Sequence, residues 1–129
     1  MRTLCIDFDG VLHSYVSGWK GADRVDDPPV PGAMRFLVDA THHFEEVAVY
    51  SSRSKEAGGI EIMATAIQSW LAEENLMDVS EAYHFVMKRL TFPREKPAAW
   101  LTIDDRCICF DGTFPSFDII NTFRPWNKR

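Results

Sequence analysis

Two aspartates stand one residue apart at the end of an apolar run, in Leu4-Cys5-Ile6-Asp7-Phe8-Asp9-Gly10. A second acidic pair, Asp104-Asp105, follows Leu101-Thr102-Ile103, and Ser51 follows Val47-Ala48-Val49-Tyr50. Taken singly, each has an ordinary reading: Asp9-Gly10 as a turn, a strand-end serine as a cap, an Asp-Asp pair as a solvated corner. Taken together they describe three chain ends that could meet. Four carboxylates in one crevice raise each other's pKa and repel. A hard divalent cation such as Mg²⁺ relieves that repulsion, because it prefers carboxylate, carbonyl and water oxygens. A serine hydroxyl suits a phosphoryl oxygen, and a nearby lysine would offset the remaining charge.

These groups meet only if the segments before them are neighbouring parallel strands. Leu4 to Phe8 is apolar on both faces, as a central parallel strand is. His13 to Val30 is polar and rich in glycine and proline, which predicts an exposed loop or small hairpin. Pro31 to about His43 has helical spacing at Met34, Leu37, Val38 and Thr41, with Pro31 suited to the first turn. Val47 to Tyr50 is a second short strand. Residues 57 to 75 give the clearest helix, with Ile60, Met63, Ile67, Trp70 and Leu71 on one face, read as core rather than a cofactor box. Phe85 to Phe92 is expected to be a strand despite Lys88 and Arg89, and Pro97 to Trp100 a turn or helix start. Leu101 to Ile103 is expected as a third buried strand. Cys107 to Phe110 and Phe117 to Ile120 are further apolar runs, with Asp111-Gly112 turning between them. Strands alternating with helices predict an α/β fold, a mostly parallel sheet whose C-terminal strand ends share one edge.

With 129 residues, 46% apolar and 26% charged, the chain is sized for a single domain over positions 1–129 with a real core. It contains no run of membrane-spanning length and no secretory leader pattern, so a cytoplasmic location without membrane association is expected. Cys5, Cys107 and Cys109 have no metal-type spacing, and reduced thiols packed in strands are expected. A net charge of −5 argues against broad nucleic-acid affinity. The tail Arg124-Pro-Trp-Asn-Lys-Arg129 reads as a local basic patch or a solvated end.

In order, Asp7-Phe8-Asp9-Gly10, Val47-Ala48-Val49-Tyr50-Ser51, Lys96 and Ile103-Asp104-Asp105 resemble the four motifs of the haloacid dehalogenase-like hydrolases, over about residues 4 to 111. The resemblance implies a Rossmann-like sheet flanked by helices, with the 13–30 loop as a small flap in place of a cap domain. It implies a Mg²⁺-dependent phosphatase acting through an aspartyl-phosphate. Asp7 would be the nucleophile and Asp9 the acid and base. The metal would be held by Asp7, Asp104, the Asp9 carbonyl and, directly or through water, Asp105. Ser51 and Lys96 would bind the phosphoryl group, with Lys88 the alternative to Lys96.

Around these motifs, His13 and Ser14 are read as loop surface, with substrate contact the alternative. Arg53 and Arg106 suit either a phosphate or an ion pair with the acids. Trp19 and Lys20 suit ligand contact or loop packing. A receiver-like signalling module is disfavoured by motif order, since its acidic pair precedes the phospho-accepting Asp. A phosphate-binding relative without turnover is the other alternative. The small flap leaves one flank open, which favours a phosphate on a larger partner, such as a nucleic-acid end, over a free sugar phosphate.

Overall fold

In the computed structural model, residues 2–74, 78 and 81–129 are described. β1 (Thr3–Ile6) is the hub of a four-stranded sheet in the order β3-β2-β1-β4, with every pairing parallel. Its neighbours are β2 (Glu46–Val49) and β4 (Leu101–Ile103), and β3 (Leu90–Thr91) closes the far side. Register matters most here. Ile6 lies opposite Val49 on one side and Ile103 on the other, so the next residues of all three strands leave the sheet at one level. The pairing even continues a step, since the Asp7 N–H donates to the Ile103 carbonyl (2.9 Å) and the Tyr50 N–H to that of Ile6 (3.1 Å).

Leu4, Ile6, Val47 and Val49 turn inward to a single core cluster with Phe8 and Leu12. α1 (Ala33–His43) adds Met34 and Leu37, and α2 (Gly59–Glu73) adds Met63, Ile67, Trp70 and Leu71. That spacing is the expected apolar face of each helix. α2 can begin where it does because position 59 is glycine: a Cβ there would overlap the Arg53 carbonyl. Among the described residues, no helix is long and apolar enough to cross a membrane.

The structure departs from the sequence expectations in several places. Phe85 to Phe92 is not one strand. Ala82–Met87 winds as a π-helical turn, and only Leu90–Thr91 extends into the sheet. Among the described side chains of 85–91, Val86 and Leu90 are the buried ones, four apart, while Lys88 and Arg89 stay in solvent. β4 is not buried: it forms an open edge, with Leu101 56% exposed and Trp100 just before it at 65%. The apolar runs after it form no strands. Residues 107–110 lack regular structure, and the second run is the short helix α3 (Phe117–Asn121), both in solvent. Consequently Cys107 and Cys109 are exposed free thiols, and only Cys5 is packed within a strand.

Finally, the 13–30 segment, expected as an exposed loop or small hairpin, is closed at its base by an antiparallel bridge between His13 and Pro29, as a hairpin is. Its ends are stitched together by Ser14 N–H to Pro28 O (3.0 Å) and Val30 N–H to Leu12 O (2.9 Å). His13 and Ser14, expected at the surface, are buried.

Candidate functional site

The shared strand level delivers the expected convergence. Asp7, Asp9, Tyr15, Ser51, Ser52, Asp104, Asp105 and Arg106 line one solvent-open hollow of about 310 Å³. Carboxylate oxygens of Asp7, Asp104 and Asp105 all lie within 4.8 Å of one another. Asp7 and Asp105 are partly buried and Asp104 is exposed. The approach of Asp105 depends on Gly10, which has φ +86° and no side chain: any Cβ there would overlap the Asp105 carboxylate. Asp104 Oδ1 accepts from the Arg106 N–H (2.9 Å), which fixes the turn after β4.

Burial pushes the Asp7 carboxyl up to about 8, helped by a hydrogen bond with Asp105 and the charge of Asp104. Three convergent carboxylates, all oxygen donors at this spacing, fit a hard divalent cation that would hold them ionised.

Asp9 is in the opposite condition. Its Oδ2 accepts from Arg53 Nε (2.8 Å), and its Oδ1 accepts from Arg53 Nη2 (2.9 Å) and His13 Nδ1 (2.8 Å). Burial raises the carboxyl, but the bonds from His13 and Arg53 and the guanidinium charge outweigh it, and Asp9 sits below the usual carboxylate range. His13 is held as the Nδ1–H form, because its Nε2 accepts from the Asp27 N–H (3.2 Å).

Arg53 is only 1% exposed. Its remaining donors reach the carbonyls of Gly21 (3.3 Å), Ala22 (2.9 Å) and Arg24 (2.7 Å), and its guanidinium lies over the Phe8 and Trp19 rings. Of the two readings open for Arg53, the structure shows the ion pair. Arg53 thereby latches the 21–24 tip of the flap onto Asp9.

Ser51 is buried at the end of β2, where it caps the short 3₁₀ turn Ser52–Lys55. Its Oγ accepts from the Arg53 N–H (3.2 Å), which leaves its own O–H to donate into the hollow. Lys96 does not line the hollow. It is exposed, and its charge is felt at Cys5, two residues before Asp7. Lys88 is exposed too, in the turn before β3, and does not line the hollow. Lys20 projects from the flap into solvent.

No family model, curated protein or solved structure matches this chain.

Besides Ser52, three contributors to the site have no counterpart among the sequence candidates. Tyr15 lines the hollow from a strained backbone position, φ +61°, which its residue type does not announce. Trp126 Nε1 donates to the Gly10 carbonyl (2.6 Å), and Asn127 Nδ2 to that of Ser14 (3.1 Å). The tail expected as a basic patch or a loose end is therefore pinned to the first motif. Only a contact 116 positions away could have shown it.

Proposed function

We propose that this chain is a Mg²⁺-dependent phosphatase of the haloacid dehalogenase-like type, with a Rossmann-like core and the flap as its only cap. The observation that carries this reading is one geometry: Asp7, Asp104 and Asp105 converge beside Ser51, all at the ends of adjacent parallel strands. Asp7, Asp104 and Asp105, with the Asp9 carbonyl, would hold the ion. When bound, the ion supplies positive charge that lets an anionic carboxylate approach an anionic phosphate.

In this reaction an Asp7 oxygen attacks phosphorus, forming the aspartyl-phosphate as the bond to the leaving oxygen breaks. A water then attacks the same phosphorus, the bond to Asp7 breaks, and inorganic phosphate leaves. Ser51 donates to the phosphoryl group, and Lys96 must swing toward the hollow to offset its charge. Asp9 would protonate the leaving oxygen and take the water's proton. Since both of its oxygens are engaged, Asp9 must give up a contact with Arg53 or His13 to do so.

The same engagement of Asp9 supports a second reading, a module that accepts or binds phosphate with little turnover. The open hollow suits a phosphate borne at the edge of a larger molecule, and the free thiols suit the cytoplasm.

Phosphate release from 4-nitrophenyl phosphate, followed with Mg²⁺ and after EDTA, tests the proposal. Steady release that EDTA abolishes and Mg²⁺ restores is expected, with Ca²⁺ a poor substitute. Phosphorylated protein accumulating without steady release would instead select the second reading. Undiminished hydrolysis after chelation would overturn the metal assignment.

A further inference from the structure

Arg106 lines a second hollow as well, of about 320 Å³, whose other walls are Cys107, Ile108, Ile120 and Phe123. Two chain segments build it: the stretch after Asp105, and α3 with the residues that follow it. Ser116 caps α3 by accepting from the Ile119 N–H (3.2 Å). We propose that this hollow receives the leaving group of the phosphate ester, and that the leaving group is a planar aromatic one. The proposal rests on the phosphatase reading above.

Adjacency comes first. Arg106 belongs to both hollows, so an ester with its phosphorus among Asp7 and Ser51 can extend past the guanidinium into the second one. Charge comes next. Among the described residues the Arg106 side chain enters no hydrogen bond or ion pair, since only its backbone N–H is used. A free guanidinium between the hollows can bind a phosphoryl oxygen with its edge and a ring with its face.

The lining then chooses between leaving groups. Ile108, Ile120 and Phe123 stand partly in water and gain by being covered with apolar surface. A sugar's hydroxyls would be desolvated there with scarcely a partner besides Arg106, at a cost per unpaired group that an aromatic ring avoids. The volume is at the small end for ligand sites and suits one or two fused rings.

The test compares phenyl and 2-naphthyl phosphate, two esters of similar leaving-group basicity that differ by one fused ring. The expected kcat/KM is roughly tenfold higher for the naphthyl ester, because the extra ring fills the hollow. In Phe123→Ala and, separately, Ile120→Ala, that ratio should collapse toward one. In the wild-type protein, NMR titration with 2-naphthylmethylphosphonate should shift the Ile108 and Ile120 methyl signals, which methylphosphonate leaves in place. Hydrolysis of both esters with equal efficiency, or a ratio untouched in both variants, would overturn the subsite while leaving the phosphatase reading intact. Failure to hydrolyse any ester in Mg²⁺ would overturn that reading and the subsite with it.

Discussion

Asp7 and Asp9 are one residue apart in the chain and opposite in circumstance. On the Asp7 side, three carboxylates crowd together, and the Asp7 carboxyl is pushed up to about 8. On the Asp9 side, every oxygen is met by Arg53 or His13, and the carboxyl is held below its usual range. One flank of the motif stores unmet charge and the other has none left to meet. Charge left unmatched by the protein is available to a ligand, whereas charge matched within the protein holds structure together. The difference puts a carboxyl open to a ligand and one tied to the protein's own cation within three residues of each other.

The comparison breaks most visibly at Asp7. On the proposed mechanism Asp7→Asn keeps the shape but removes the attacking anion, so phosphatase turnover should fall by about four orders of magnitude or more. Near-native kcat in the purified variant would remove Asp7 from the chemistry. Its folding should not suffer: in chelator at alkaline pH, denaturant melts should find it at least as stable as the parent, because a repelling charge is gone.

Arg53→Met should do the reverse. It leaves Asp9 buried without its main counter-ion and unties the flap carbonyls, costing about 3–5 kcal/mol in denaturant unfolding. A loss below about 1 kcal/mol would show that the latch contributes little. Limited proteolysis should also begin near residues 20–24, which Arg53 holds.

Smaller, and most diagnostic, is the pH dependence of stability without metal. The folded Asp7 keeps its proton up to about pH 8, while the unfolded chain loses it near the ordinary value of 3.8. Its contribution is thus complete in acid and is lost as pH rises toward about 8. The Asp9 contribution has the other sign: it is present above the ordinary carboxylate value and is lost as pH falls through its depressed one. Asp7→Asn should flatten the neutral limb of the stability profile and leave the acid limb, and Asp9→Asn should do the opposite. Identical changes in both variants would mean the two carboxyls are not differently placed.

Much of this was legible because parallel strands carry their faces in sequence. Leu4 to Ile6 and Val47 to Val49 are apolar on both faces, the α2 stripe has clean helical spacing, and the level ends of β1, β2 and β4 bring Asp7, Ser51 and Asp104 together. What stayed hidden depends on partners distant in the chain. Nothing local announces that Arg53 will be buried, because the carbonyls that make this tolerable belong to Gly21, Ala22 and Arg24. Val86 and Leu90 fit either a strand or a helical turn, and a short apolar run does not distinguish them. Ile108, Phe110 and Phe117 belong to apolar runs, yet they find little to pack against. Pattern reads out what a segment would bury, not whether anything is there to bury it.

The central place of β1 sets an order of events in time. The strand is translated before either neighbour, and its pairing with β4 must wait for residues 101–103, close to a hundred positions later. Until then the backbone groups along that edge face water, and Asp7 has neither acid of the 104–105 pair beside it. Closing so long a loop late makes for slow assembly, with the incomplete sheet open to wrong pairings. It also means that a nascent chain stalled before residue 101 would hold β1, β2 and β3 but neither Asp104 nor Asp105 to stand beside Asp7.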